Sequence, residues 1–374
     1  MNFEFTKEQL LIKKMVKAFA DSKVAPLADG IDEQCNIPRE LLAELKKLKI
    51  FGIPYDKKYG GAGGSYFEMV LMIEELSKVS AGLGFFMAVH YLGATAINLF
   101  GTEEQKKKFL PRLCSGEAIG SFGFTEADTG SDPKAVTCNA KLVDDGYILN
   151  GQKRFTTNGS EPGVLVTFAK TETGVSAFAF DKFQEGYSVS KPWEKMGNRG
   201  AETVDVYFND VKLPSDSLLG QEGKGFGILL RGIAIGKLNM SAISLGLGEA
   251  SLEEAIKYAK QRIVRGKPIA TLPTTQALIA NALVLNESSR WMLYRATEMA
   301  SKGLGDIDYE SAVTKLYIAK AIKDSIDYSL QVHGCYGYVR DFKVERMYRD
   351  IRLMEVIEGA SEVQRVIVAS NALK

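Results

Sequence analysis

The chain has 374 residues, 45% of them hydrophobic and 25% charged, with a net charge of +1. That length supports two or three cores, and the near-neutral balance argues against a protein that coats nucleic acid or an anionic membrane. Four scattered cysteines with no Cys-x-x-Cys pair, and only two histidines, His90 and His333, speak against a zinc site and a Ser-His-Asp hydrolase, although counting alone leaves His90 open.

Unpaired cysteines suit a reducing compartment. The start, Met1 to Phe5, carries no basic and apolar leader, and no apolar run approaches membrane-spanning length, so a cytoplasmic protein is expected. Phe5-Thr6-Lys7-Glu8-Gln9-Leu10 reads as a capping box, with Thr6 as N-cap, Gln9 reaching back, and Phe5 and Leu10 as a hydrophobic staple. Leu11, Met15, Val16 and Phe19 continue one apolar face. Pro38 opens a helix bearing Leu41, Leu42, Leu45 and Leu48 at helical spacing. Thr102 to Gln105 repeats the capping box, and Pro111 is expected to end that helix.

From Ile119 the period changes. Val136, Cys138, Ala140 and Leu142 alternate, Asp144-Asp145-Gly146 supplies a turn, and Asn150-Gly151 reads as a hairpin. Val164 to Ala169, Ala177 to Phe180 and Val204 to Phe208 read as further strands. After Gly225-Phe226, long helical segments near Ile228–Gln261, Thr274–Ser301 and Tyr309–Val332, with one shorter helix after them, suggest a four-helix bundle. The expected fold is α+β: an N-terminal helical domain (1–118), a central antiparallel β-barrel-like domain (119–226) and a C-terminal helical bundle (227–374).

Gly60-Gly61-Ala62-Gly63-Gly64 and Gly223 to Gly227 do not match a phosphate loop and lie outside any βαβ unit, so they read as turns and packing sites. Gly246-Leu247-Gly248 reads as a close helix contact rather than a dinucleotide fingerprint. The segment Val356 to Arg365 sets Glu358 between apolar residues and a glycine. Taken alone, Glu358-Gly359 is a helix end; an acid so placed can also be desolvated and act as a base near neutrality.

Four ordered segments decide between these readings. They are Phe124-Thr125-Glu126-Ala127-Asp128-Thr129-Gly130-Ser131-Asp132; Asn150-Gly151-Gln152-Lys153-Arg154-Phe155-Thr156-Thr157-Asn158; Lys195 to Thr203, with Leu219-Gly220 to Phe226 beyond it; and Gln331 to Tyr338, followed by Arg349-Asp350, Arg352 and the Glu358 segment. Together, over essentially the whole chain, they resemble the acyl-CoA dehydrogenase family of flavoproteins. The resemblance implies a homotetramer with one FAD per subunit between the β domain and the C-terminal helices, and electron-transfer flavoprotein as acceptor. It also implies the reaction, in which a base takes the α-proton of an acyl-CoA thioester while the β-hydrogen leaves as hydride to the flavin. The thioester carbonyl must be polarised where enolate charge develops, in the family by a flavin ribityl hydroxyl and the N–H of the base residue.

Glu358 falls on the family's usual base position. A subset of the family carries its Glu at the position of Gly236 instead, so Glu358 is expected to be the single base. By the same resemblance, Phe122, Phe124 and Thr125 meet the flavin ring, Phe155 and Thr157 lie beside its face, and Ser131 lies near the pyrophosphate and the pantetheine. Arg262 reaches a neighbouring subunit's FAD diphosphate, and Gln331 and Gly334 the adenosine end of that site. Ala360 and Glu362, after the base, are assigned to the cofactor, and Lys237, Ile357 and Gly359 to the substrate. His333 is expected to be structural.

Several positions depart from the family. Ala127 stands for Pro, Phe155 for Trp, Val264-Arg265 for a polar-Phe pair and Cys335 for Gly. Ala234 and Lys237 replace an Asp and an Arg, which puts handling of the thioester end in doubt and keeps an acyl-carrier-protein substrate as an alternative. Ile357 replaces a Tyr and Ala360 a Thr; loss of the Tyr ring is expected to widen the acyl pocket beside the base toward branched, cyclic or otherwise unusual groups. A reductase running the reaction backwards, a flavin monooxygenase and a non-catalytic flavin-binding protein are the remaining alternatives.

Overall fold

The N-terminal helices form where caps and apolar faces dictate, in a computed structural model that describes residues 4–132 and 135–374. In α1 (Lys7–Phe19) the Thr6 hydroxyl accepts from Gln9 N and the Gln9 side chain accepts from Thr6 N, which completes the capping box. The staple does not form. Phe5 packs edge-on to Phe67 and Tyr294, with ring centroids at 6.3 and 5.7 Å, and Leu10 and Leu11 lie exposed. Distant aromatic rings offer Phe5 more apolar surface than its neighbour along the helix. Beyond α2 (Ala28–Gln34), α3 (Arg39–Lys47) buries Leu41, Leu42 and Leu45.

Next come α4 (Tyr66–Ser77) and α5 (Ala81–Phe100), which are buried on nearly every side and so carry no amphipathic stripe. α5 and the later α7 (Gly225–Gln261) are each long and apolar enough to span a membrane by length and composition. The expectation that no run approaches that length is therefore corrected. Both helices are mostly buried against other elements of the fold. α6 (Glu103–Ser115) keeps its capping box but runs through Pro111 and stops at Gly116. Phe109, Leu110, Leu113 and Cys114 are all buried, and their packing outweighs the hydrogen bond that Pro111 cannot donate.

The central sheet has eight strands: β1 (Ile119–Gly123), β2 (Asn139–Val143), β3 (Gly146–Thr157), β4 (Gly163–Thr171), β5 (Gly174–Asp181), β6 (Tyr187–Val189), β7 (Thr203–Pro214) and β8 (Leu218–Leu219). Their order is β6-β7-β3-β2-β4-β5-β8, with β1 beside β4. It is not antiparallel throughout, because β1 runs parallel to β4, as does the start of β2. Nor is Asn150-Gly151 a hairpin. It sits inside β3 at an irregularity opposite β7, where the Asn150 side chain donates to Asp210 Oδ1 (2.9 Å) and accepts from Asp210 N (2.8 Å). Gly151 is needed there because a Cβ would lie 2.8 Å from Cys138 Cα. The β2–β3 turn is Asp144-Asp145.

Three long helices, α7, α8 (Pro273–Ser301) and α9 (Ile307–His333), pack on one another, and α4 and α5 also pack on α7. Two short helices follow instead of one, α10 (Val344–Ile351) and α11 (Ser361–Ala372), both against α9. The glycine-rich stretches behave as turns and contacts. Gly60 and Gly63 have positive φ, and a Cβ on Gly248 would meet Asn286 and Ile322. At Gly246 a Cβ would lie 2.4 Å from the Glu74 carbonyl of α4. Gly246→Ala is therefore expected to cost about 1–3 kcal/mol, read as a lowered thermal unfolding midpoint. A midpoint equal to the parent protein's would contradict this close approach of α4 to α7.

Candidate active site

Glu358 lies in the short link between α10 and α11, in a left-handed conformation (φ 52°) that only a determined environment holds, and Gly359 follows at φ 80°. Its carboxylate rests on the backbone of α7. A Cβ on Gly236 would lie 2.8 Å from Glu358 Oε2 and 3.1 Å from its Cδ. The two positions that the resemblance treats as alternatives thus adjoin in space, and the missing side chain at 236 is the seat of the acid at 358. Leu92 of α5 lies 3.3 Å from the same point, and Phe122 of β1 lies 3.7 Å from the matching point on Gly232, one turn earlier. On this side the acid thus has an apolar surround of Leu92, Phe122 and bare glycine backbone.

Burial pushes the Glu358 carboxyl up to about 7, with the positive charges of Lys315 and Lys237 pulling the other way. Both lysines are buried. Burial likewise lowers Lys237, against attraction from Asp308, Glu358 and Asp306, and brings Lys315 down to about 8 against the pull of Glu358. Lys315 donates to the Gly359 carbonyl (2.8 Å). Among the described residues the Glu358 N–H has no hydrogen-bonded partner, so a donor remains free beside the acid.

Phe122, Phe124 and Thr125 are half-buried at the open end of β1, with Phe122 and Phe124 edge-on to Phe168 at 5.2 and 5.8 Å. A buried ion pair fixes this strand end. Lys153 Nζ donates to Glu126 Oε1 (2.6 Å) and to the Phe124 carbonyl (3.2 Å), while Arg154 N donates to Thr125 O (2.7 Å). Glu126 also accepts from Thr137 N, Thr137 Oγ1 and Cys138 N. Burial opposes its ionisation, and Lys153 together with the Thr137 donors outweighs that and lowers its pKa. Two of the conspicuous sequence segments are thus one cross-linked unit.

Phe155 is 55% exposed at a second irregularity of β3, with its ring 5.3 Å from Trp193, whose Nε1 donates to Asp205 (2.9 Å). The Thr157 side chain is buried and pairs with Thr203 (3.0 Å). Ser131 is exposed on the loop after Glu126. Ala360 caps α11, Glu362 is exposed in its first turn, and Ile357 packs against the main core.

The remaining candidates lie elsewhere. Arg262 ends α7, about 40 Å from Gly236 at the rise of an α-helix, and is exposed. Its guanidinium lies over Tyr336 (5.4 Å), near Gln331 and Gly334 at the end of α9. Gln331 and Gly334 are exposed, and a Cβ on Gly334 would meet nothing within 4 Å. The candidates therefore fall into two groups at separate places on the chain. Both histidines are structural: His90 Nδ1 accepts from Gly120 N (3.0 Å) with Nε2 facing the Phe51 carbonyl (3.1 Å), and His333 stacks on Tyr258 at 4.5 Å.

Lys315 and Gln364 adjoin Glu358 without having been singled out in the sequence. Lys315 had a legible signal, since it shares the buried face of α9 with Ala312, Ile318, Ala319 and Ile322.

The chain matches three family models: acyl-CoA dehydrogenase, N-terminal domain, over residues 6–117; middle domain, over 121–211; and C-terminal domain, over 223–373. It is 37% identical, over all of both chains, to a short-chain-specific acyl-CoA dehydrogenase of Clostridium acetobutylicum. It is 33% identical to the caffeyl-CoA reductase-Etf complex subunit CarC of Acetobacterium woodii, over 99% of each chain. The butyryl-CoA dehydrogenase structure from Megasphaera elsdenii superposes with a TM-score of 0.98 at 33% identity, covering all of both chains. An FAD complex, that of PigA, superposes with a TM-score of 0.94 at 28% identity, covering 100% of this chain and 99% of that one.

The half-buried aromatic faces of Phe122 and Phe124 and the free N–H of Glu358 fit a flat, mostly apolar ring system with polar edges, so the residues present suit FAD. Lys153→Met would leave Glu126 charged, buried and without its cation, and is expected to cost about 3–5 kcal/mol, measured by denaturant unfolding of the FAD-loaded protein. A cost below about 1 kcal/mol would show that the pair does not hold this strand end.

Proposed function

The chain belongs to the acyl-CoA dehydrogenase family of FAD-dependent oxidoreductases, and from that premise we propose that Glu358 removes the α-proton of an acyl thioester held in a cleft between Gly236 and Phe122. The observation that carries this reading is the seat of the Glu358 carboxylate on the bare backbone of Gly236, inside an apolar wall. When bound, FAD supplies the acceptor for the β-hydrogen, which leaves as hydride. The C–H electron pair at the α-carbon becomes the new double bond, and the proton stays on Glu358.

Each nearby residue has a task in this scheme. Leu92 and Phe122 keep water from the acyl chain, which strengthens the electrostatics inside the cleft. The free Glu358 N–H donates to the thioester oxygen, where charge develops as the proton leaves. Lys237 and Lys315 keep the carboxylate accessible near neutrality despite its burial. Arg262, Gln331 and Gly334, too distant to reach this cleft, serve the FAD of a neighbouring subunit in a homotetramer.

A second reading is supported by the reductase name of the Acetobacterium woodii relative. In that direction protonated Glu358 returns the α-proton to an enoyl thioester. An acid titrating near 7 serves either task. Electron-transfer flavoprotein, present in the name of that same relative, is the redox partner in both directions.

The deciding experiment is anaerobic mixing of the yellow protein with straight, branched and cyclic acyl thioesters, on CoA and on acyl carrier protein, followed by flavin absorbance. Bleaching by at least one member is expected; none bleaching in the panel, with enoyl thioesters also unreduced by the dithionite-reduced protein, would contradict the reading. Glu358→Gln is expected to keep FAD and slow bleaching at least ~10²-fold; an unchanged rate would remove Glu358 as base. Because the base must be ionised, the wild-type bleaching rate is expected to rise with pH through about 7 and then level. A flat profile from pH ~5.5 to ~8.5 would contradict a base with a raised pKa.

A further inference from the structure

The Glu358–Gly359 turn is held from two sides. Lys315 Nζ, reaching from α9, donates to the Gly359 carbonyl at 2.8 Å. Gln364 Nε2, on the first turns of α11, donates to the same carbonyl at 2.9 Å and to the Glu358 carbonyl at 3.3 Å. Both side chains belong to residues only 1% exposed. The left-handed conformation is disfavoured for residues that carry a Cβ, and Glu358 at φ 52° is one. Such a conformation persists where its surroundings over-determine it. At Gly359 a Cβ would lie 2.3 Å from Gln364 Nε2, so the contact also accounts for the glycine.

Core packing does not explain the lysine. Position 315 faces inward beside Ala312, Ile318, Ala319 and Ile322, where an aliphatic side chain would fill the space without the expense of burying an ammonium. The charged groups that act on Lys315 are Glu358 and Glu355 in the link, Lys237 on α7 and Glu362 on α11. None of them forms a hydrogen bond to its ammonium among the described residues; the bonded partner is the backbone carbonyl beside the acid.

We infer that Lys315 and Gln364 are positioning residues, a two-sided clamp on consecutive carbonyls that aims the Glu358 carboxylate at its seat on Gly236. The inference rests on the reading of Glu358 as the base. The clamp itself is a statement about the turn and is testable apart from the reaction. Without it, the left-handed turn relaxes and the carboxylate leaves the reacting geometry, a displacement of the kind that costs ~10²-fold in rate for ~1 Å.

The test uses FAD-loaded Lys315→Met, Lys315→Arg and Gln364→Met proteins. Two readouts are compared: amide hydrogen exchange of the segment 356–364, and anaerobic flavin reduction by the thioester that works best with wild type. Exchange of the segment is expected to quicken about 10-fold in both Met variants, while exchange in α4 and α5 stays unchanged. Flavin reduction is expected to slow ~10- to ~100-fold in both, with thioester affinity within ~3-fold of wild type. In Lys315→Met the pH midpoint moves upward, because a cation near the carboxylate is lost; in Gln364→Met it stays put. Lys315→Arg restores part of the rate.

Wild-type exchange of the segment in both Met variants would overturn the clamp, whatever the rates. Faster exchange with unchanged flavin reduction would overturn the positioning role. Should Lys315→Met fail to fold, the same criteria apply to Gln364→Met alone. If Glu358→Gln reduces flavin normally, the base reading fails, and the exchange measurement still decides whether the clamp exists.

Discussion

The site depends on a side chain that is absent. Gly236 leaves a bare stretch of backbone on α7, and the Glu358 carboxylate lies against it, with Oε2 2.8 Å from where a Cβ would be. Glu358 comes from a link near the C-terminus, so its position requires α7, α9 and the link to be fixed against one another. α7 provides the frame: it begins against the sheet, passes the proposed cleft at Gly232 and Gly236, and meets α4 at Gly246. Small residues along it set how closely other elements approach.

Several of the polar groups buried around this frame have partners that hold something in place. Lys153 and Glu126 pin the end of β1, where Phe122 and Phe124 pack edge-on to Phe168. Lys315 and Gln364 grip the turn that carries the acid. Arg349 of α10 joins Asp32 of α2 (2.7 Å) to the Met196 carbonyl (2.9 Å), and Asp350 accepts from Asn198 N, tying the helices to the loop between β6 and β7. Apart from the Gln364 bonds, which stay within the link and the start of α11, each of these joins segments remote in sequence. They contribute specificity of arrangement more than net stability, since burying charge offsets much of what pairing gains.

Much of this was legible in the sequence, and the failures have local causes. The capping boxes at Thr6 and Thr102 formed because both partners lie within four residues of each other. Pro111 did not stop α6, because the buried side chains around it outweigh one lost hydrogen bond. Asn150-Gly151 mimicked a hairpin while serving a strand irregularity, where its chemistry pairs with Asp210 instead. α4 and α5 carried no period because they have no exposed face. Glu358 was legible by resemblance, but its contact with Gly236 and its two-sided clamp were not, because the partners lie on three different elements. The family relation assigned Arg262 to the cofactor, and the length of α7 sets it about 40 Å from Gly236.

The account's central claim is that Glu358 exchanges a proton with the α-carbon of a bound thioester. Deuterium wash-in measures this directly: the FAD protein is held with its preferred acyl thioester, or a β-substituted analogue that cannot be oxidised, in heavy water, and the α-position is read by mass spectrometry. The account predicts exchange that is faster above pH 7 than below it and abolished when position 358 is Gln with flavin still bound. Exchange that persists unchanged in that variant would contradict it.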